Sequence, residues 1–292
     1  MNTQPPLIEI RTGSDSDMPK IQAAYRVLQG LELPFSPRIL SAHRTPQVMA
    51  EEAQKLEANG FRASIAAAGG AAHLPGMTAS ETSVPVIGLP VRSSTMDGLD
   101  SLLSIIQMPN GIPVGATGIA QAAGAALLAA QTAYLDNPQV RNRIRAYRKL
   151  AGSHPASLSL DPTVGIIAEQ QKALDDKAYR KMLTSMQDLG LKPVEMDADI
   201  RPEPLEDMEQ KGAVGIICLQ SLRAGASGSG LSPAIAGITD LPVIGLPLAP
   251  GKIAGTREDF NPLLQSPEAD DLPVAGMGIN RYVNAALYAG QI

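Results

Sequence analysis

The sequence predicts an α/β protein in which a parallel sheet is covered by helices on both faces, made twice over in one chain of 292 residues. Three observations lead there. Short apolar runs alternate with helical patterns through the first half. Segments of that half return in the second, in the same order, 157 to 160 residues later. Between the two lies a stretch rich in glycine, serine and proline, the composition of a linker.

In the first half, strands are expected at Leu7–Ile10, Pro37–Leu40, Ala63–Ala68, Val84–Leu89 and Ile112–Ala116. Between the first two, Ile21, Ala24 and Leu28 recur at helical spacing. Between the next two, Met49, Ala53 and Leu56 do the same, and each set is followed by a glycine able to stop a helix, Gly30 or Gly60. Repeated strand–helix–strand units call for a parallel sheet with helices on both faces. Such sheets bind ligands beyond the carboxyl ends of the strands, where the chain order reverses. The loops after the first three strands are therefore the places to look for chemistry.

The repeat is clearest at Val84-Pro85-Val86-Ile87-Gly88-Leu89-Pro90, which returns as Leu241-Pro242-Val243-Ile244-Gly245-Leu246-Pro247. Gln107-Met108-Pro109 answers to Gln265-Ser266-Pro267, Ile112-Pro113-Val114 to Leu272-Pro273-Val274, and Gly124-Ala125-Ala126-Leu127 to Asn284-Ala285-Ala286-Leu287. Ordered matches at a nearly constant shift mark a tandem duplication. The expected domains are residues 1–150 and 163–292, joined by a linker at 151–162. In the second, strands are expected at Val164–Ile167, Val214–Leu219 and Leu241–Leu246, with helix stops at Gly190 and Gly212.

Composition narrows the function. With 44% hydrophobic and 18% charged residues the chain is globular and long enough to bury a core in each half. No run of about 18 apolar residues suits a membrane span, and the opening MNTQPP lacks the segments of a secretory signal, so a cytoplasmic location is expected. One cysteine, Cys218, cannot form an internal disulfide or a thiolate metal cluster, and three histidines are too few for a cage. No metal site is expected. A net charge of −5 and 3% aromatic residues argue against a nucleic-acid partner and for a small molecule. Residues 1–150 hold 13 Lys and Arg against 11 Asp and Glu, the remainder 11 against 18, so a phosphorylated anion would prefer the first half.

Three loops of that half carry candidate residues. After the first strand comes Thr12-Gly13-Ser14-Asp15-Ser16-Asp17-Met18-Pro19, with Asp17 expected to cap the helix that follows. Glycine allows close backbone approach, and hydroxyls and free N–H groups at a helix start favour an anion. After the second strand comes Ser41-Ala42-His43-Arg44-Thr45-Pro46, with Thr45 as N-cap and Pro46 at the first helical position. Arg44 can grip a phosphate with two hydrogen bonds, and His43 can move a proton near neutral pH. After the third comes Ala66-Ala67-Ala68-Gly69-Gly70-Ala71-Ala72-His73-Leu74-Pro75-Gly76-Met77, small residues that leave room for a planar ligand against bare backbone. Taken singly, each segment also has the composition of an ordinary turn or of close helix–sheet packing.

Taken together, these three motifs and Asp100-Ser101-Leu102-Leu103-Ser104-Ile105-Ile106-Gln107-Met108-Pro109 closely resemble the PurE family, in its class I branch of N5-carboxyaminoimidazole ribonucleotide mutases. The resemblance covers nearly all of residues 7–150. It implies a flavodoxin-like three-layer α/β/α sandwich and an isomerase of purine biosynthesis that moves a carboxylate from N5 to C4 of a phosphorylated aminoimidazole ribonucleotide. No ATP, metal or organic cofactor is implied. By the same resemblance Ser14, Ser41 and Arg44 are phosphate-binding, Asp17 is ribose-binding and His43 is the general acid/base. The segment Ala68, Gly69, Gly70, Ala71, His73 and Leu74 would enclose the imidazole and the migrating carboxylate. One departure is Gly124-Ala125-Ala126, where the family commonly reads Asn-Ala-Ala, as the second copy does at Asn284.

The second copy lacks these motifs. Glu169 stands where Gly13 stood, Asp197-Ala198-Asp199-Ile200-Arg201-Pro202 answers to Ser41–Pro46 without a histidine, and Gly230 stands opposite His73. The expectation is one active and one degenerate unit per chain, with four chains in a pseudo-octamer like the family's octamer. A non-catalytic ribotide-binding or scaffold protein is the other reading. It does not explain why one copy alone keeps both histidines, both serines and Arg44. A flavin carrier would need aromatic stacking that three Phe and six Tyr hardly supply.

Overall fold

The first strand, β1 (Ile8–Thr12), is buried along its whole length, as a strand covered on both faces must be. The structure is a computed structural model that describes residues 7–93, 96–150, 163–168, 177–188, 191–196, 202–210, 213–221, 231–248, 274–276 and 282–291. The expected linker at 151–162 lies outside them, as do Gly190, Gly212 and the second-copy segments at 169–176, 197–201 and 222–230.

After β1 come α1 (Gln22–Gly30), β2 (Phe35–Ile39), α2 (Pro46–Gln54), β3 (Ala63–Ala68), α3 (His73–Ala79), β4 (Val86–Pro90), α4 (Leu99–Ile106), β5 (Gly115–Ala116), α5 (Ala122–Ala133) and α6 (Pro138–Leu150). The second half continues with β6 (Thr163–Ala168), α7 (Lys177–Asp188), β7 (Lys192–Met196), α8 (Pro202–Gln210), β8 (Gly215–Ser221), α9 (Leu231–Ala236), β9 (Val243–Leu248), β10 (Val274–Gly276) and α10 (Tyr282–Gln291).

Among the described residues ten strands form one sheet in the order β2-β1-β3-β4-β5-β10-β9-β8-β6-β7. Each half is a parallel set in the flavodoxin-like order 2-1-3-4-5, and the two meet at an antiparallel pairing of Gly276 with Ala116. That shared sheet is not foreseen by the sequence, which shows the repeat but no register between its copies. Strand boundaries also move. The second strand starts two residues early and takes Pro37 into its ladder, which the sheet edge tolerates because β2 pairs only with β1. The fifth strand shrinks to Gly115 and Ala116 because Pro109–Ile112 closes into a turn.

The core explains why the halves are joined. On one face a continuous cluster runs from Ile8, Leu28 and Leu128 through Val164, Met182 and Ile244 to Ala285 and Tyr288, spanning α1, α5, α7 and α10. On the other face each half keeps its own core, one under α2, α3 and α4, the other under α8 and α9. At the seam the fit is close: a Cβ on Gly115 would stand 2.7 Å from Cζ of Tyr288 and 2.8 Å from Cβ of Ala275.

A buried polar clasp reinforces the seam. Helix α6 presents Arg141, Arg145 and Arg148 at helical spacing, and Arg148 is only 2% exposed. Its guanidinium donates to the carbonyls of Thr239 (2.6 Å) and Ala236 and to Asp240 Oδ1 (3.0 Å). Arg145 Nε donates to Asp240 Oδ2 at 2.5 Å and Gln131 Nε2 to the Asp240 carbonyl at 2.7 Å. From α8, Glu209 Oε1 accepts from the Asp240 N–H (2.7 Å) and the Thr239 hydroxyl. Burial pushes the Arg148 guanidinium below its ordinary range, opposed by Asp240 and Glu209, and burial raises the Glu209 carboxyl. Among the described residues no helix is long and apolar enough to cross a membrane.

Two outcomes follow for this clasp. Arg148→Ala leaves Asp240 with Arg145 as its ion-pair partner and removes a positive charge facing Glu209, and is expected to cost about 3–5 kcal/mol in urea unfolding. Glu209 has a folded pKa raised above its ordinary 4.5, so its contribution to stability is complete below that value and is lost as pH rises through the folded one. Glu209→Gln removes this dependence, and thermal unfolding at pH 4 to 8 should show the variant gaining on the natural protein as pH rises.

Candidate active site

Three loops converge at the carboxyl ends of β1, β2 and β3, beside the point where the chain order reverses. Between them lies a cleft of about 270 Å³ lined by Gly13, Asp17, Ser41, Ala42, His43, Arg44, Ala68, Gly69, Ala72, His73 and Leu74.

The first loop enters a 3₁₀ turn, Asp15–Ile21. Its cap is Ser14, whose Oγ accepts from the Ser16 N–H at 3.1 Å and lies 2.5 Å from the Ser16 hydroxyl. The expectation that Asp17 caps the helix is thereby corrected: Asp17 lies inside the turn and pairs with Lys20 at 2.9 Å. A capping serine needs a free N–H two residues on, and Ser14 meets that condition first. In the second loop Thr45 is the N-cap of α2, as expected, although its hydroxyl donates back to the Ser41 carbonyl instead of accepting from the helix. Ser41 Oγ accepts from the Arg44 N–H at 3.1 Å and fixes the turn ahead of the cap. Pro46 does begin α2. Arg44 Nη2 donates to the Gly13 carbonyl at 3.0 Å, which ties the second loop to the first.

The third loop sets the histidines against each other. Gly70 and Ala72 take left-handed backbone angles, φ +63° and +42°, and Ala72 launches α3 with His73 as its first residue. His73 Nδ1 then lies 3.0 Å from His43 Nε2, ring planes 77° apart. A hydrogen bond between two ring nitrogens needs a proton on one and a lone pair on the other, so the pair can hold and pass a single proton. The cleft thus has a cationic end with Arg44 and Ser41, a floor of Ala42, Ala68, Gly69 and Leu74, and a proton-transferring wall. Among the described residues no cluster of His, Cys, Asp and Glu could hold a metal ion.

A buried ion pair under the cleft steadies α3. Arg11, fully buried on β1, donates through Nε and Nη2 to both oxygens of Glu9 at 2.6 and 2.8 Å. Ser64 Oγ donates to the same carboxylate, and Arg11 Nη1 reaches Thr78 Oγ1 at 3.1 Å. Thr78 lies on α3, so the pair joins β1 and β3 to the helix that begins with His73.

The AIR carboxylase family model matches residues 7–153 and 201–292. The chain belongs to the AIR carboxylase family. Of its relatives, N5-carboxyaminoimidazole ribonucleotide mutase of Pyrococcus horikoshii is 48% identical over 149 residues, 51% of this chain and 84% of that one. The same-named protein of Synechocystis sp. is 48% identical over 183 residues, 63% of this chain and 97% of its own. The crystal structure of Treponema denticola PurE is 27% identical, with a TM-score of 0.46 over 50% of this chain and 91% of that one.

Of the residues singled out in this family member, Asp17, Ser41, His43, Arg44, Ala68, Gly69, His73 and Leu74 line the cleft. Ser14, Gly70 and Ala71 stand beside it without lining it. Gly13, Ala42 and Ala72 line it and were absent from the substrate-binding set. Smallness was the signal at Gly13 and Ala72, whereas Ala42 was marked only by its neighbours in sequence. The Glu9–Arg11 pair was also missed, although charges alternating with isoleucine in a strand expected to be covered on both faces were visible.

Ala72 is buried at a backbone angle that β-branched side chains avoid. Ala72→Val is expected to cost about 1–3 kcal/mol in chemical denaturation. It should also separate the two rings, read as loss of the through-hydrogen-bond interaction between their nitrogens in NMR.

Proposed function

We propose that this chain is an N5-carboxyaminoimidazole ribonucleotide mutase, an isomerase acting in purine biosynthesis on a phosphorylated aminoimidazole ribonucleotide. The observation that carries the reading is the His43–His73 contact at 3.0 Å, in a cleft with Arg44 and Ser41 at one end and small apolar residues along the floor. Two relatives of that name are 48% identical to the chain over 149 and 183 residues.

In this reading Arg44, Ser41 and the backbone around Gly13 and Ser14 hold the phosphate, and Asp17 accepts a hydrogen bond from the ribose. The ring lies over Ala68, Gly69, Gly70 and Ala71, against Leu74. The N5–carboxylate bond breaks, releasing CO2 into the enclosed space, and N5 takes a proton from the histidine pair. C4 then attacks the trapped CO2, and the proton it loses returns to the pair. Atoms and charge balance without a cofactor. Catalysis comes from holding CO2 beside its acceptor and from well-placed proton transfer. The carboxylate is taken up in a small space from which water is excluded.

The same reading makes the chain a tandem duplication, with a catalytic unit at 1–150 and a degenerate one at 163–292. The recurrence of strand order 2-1-3-4-5 in each half supports it, as does the family match at 201–292. The assembly would be a homotetramer equivalent to an octamer of single units, in the cytoplasm.

The test is direct. Purified protein mixed with N5-carboxyaminoimidazole ribonucleotide should change its ultraviolet absorbance as product forms. His43→Ala should lower kcat by about 10²-fold or more with little change in KM. Arg44→Ala should mainly raise KM. Equal rates for His43→Ala and the natural protein would remove His43 from the mechanism, and no turnover by the natural protein would remove the function.

A further inference from the structure

Buried on α10 at the seam, Asn284 is a second-half residue whose side chain makes three hydrogen bonds to the first half. Its Oδ1 accepts from the Gly111 N–H at 3.1 Å, and its Nδ2 donates to the carbonyls of Pro109 (3.2 Å) and Ile112 (3.4 Å). These atoms belong to a tight turn, in which the Ile112 N–H donates to the Pro109 carbonyl and Gly111 takes φ +95°. One amide side chain thus satisfies the open groups of a turn that its own backbone bond closes only loosely, at 3.3 Å.

That turn sits directly behind the histidine helix. The residue before it, Met108, packs so tightly on α3 that a Cβ on Gly76 would stand 2.5 Å from its Sδ. On the other side Val114 shares one core with Leu74, Ile105 and Ile106. A Cβ on Gly88 would meet Val114 Cγ1 at 3.1 Å and Pro75 Cβ at 3.4 Å, so segment 105–114 and the first turn of α3 close over the same strand. His73 begins that turn, and its ring nitrogen lies at hydrogen-bond distance from His43.

We propose that Asn284 is a positioning residue for the reaction: the second half holds the 109–112 turn, the turn seats Met108 and Val114 against α3, and α3 aims His73 at His43. The half without the histidine motif therefore takes part in the chemistry of the half that has it. As far as rate is concerned the inference rests on the mutase reading. The geometry of His73 does not, and it supplies an independent readout.

The experiment compares Asn284→Ala and Asn284→Asp with Gln131→Ala. Gln131 also crosses the seam, to the Asp240 carbonyl, but from α5, on the face of the sheet opposite to the histidine helix. Asn284→Asp keeps the acceptor for Gly111 and loses both donations, which gives a second variant should the alanine form fail to fold. With three histidines in the chain, each imidazole can be assigned by single substitution in nitrogen-detected NMR. The expected result is a shifted His73 signal in both Asn284 variants and an unshifted one in Gln131→Ala. In turnover, kcat should fall about tenfold with KM nearly constant for Asn284 and stay level for Gln131. If the natural protein shows no turnover, the mutase reading fails and the His73 signal alone decides the inference. An unshifted His73 in the Asn284 variants, or an equal effect from Gln131→Ala, overturns it.

Discussion

A helix without a polar face has to be covered on every side, and α5 is such a helix. Its sequence from Ala122 to Ala133 is alanine, glycine, leucine, one glutamine and one threonine, and nearly all of it is buried. Amphipathic helices such as α1 need only one covering surface, whereas α5 requires several. It lies on β3 and β4, against α1, and reaches β10 of the second half. From that requirement come the core that runs unbroken across one face and the short pairing of β5 with β10 at its centre. The arginine clasp of α6 then closes over the seam.

Confining the join to one face leaves the other free to carry a site. There the cores are local, and the cleft belongs to the loops of β1, β2 and β3. Small residues make room and a buried ion pair makes it rigid. Arg11 and Glu9 gain little net stability from being paired in a dry interior, since both lose hydration. Their value lies in geometry, because the bidentate contact and the bond to Thr78 allow α3 little freedom. Rigid placement is what a reaction governed by proximity and proton transfer requires.

The two copies are unequal in an informative way. Asn284 ties α10 to the turn at 109–112, while its counterpart in the first copy is Gly124, which has no side chain to return the contact. The tie therefore runs in one direction, from the degenerate half to the half with the histidines. The family's usual Asn, absent at Gly124, is thus kept in the copy where it anchors the seam.

The sequence by itself determined the alternation of strand and helix, the tandem repeat and the three loops in which chemistry would be found. Local pattern and turn composition are enough for those, because periodicity, stop glycines and proline at a helix start act over a few residues. It erred where neighbours compete at short range, giving Asp17 the cap that Ser14 holds, while Thr45 and Pro46 open α2 as expected. Only the tertiary structure decided that the halves share one sheet, that Glu9 and Arg11 support α3 and that His43 meets His73 thirty residues further on. Those contacts depend on where distant segments come to rest against each other, and such placement is fixed by packing over the whole chain rather than by any stretch of it.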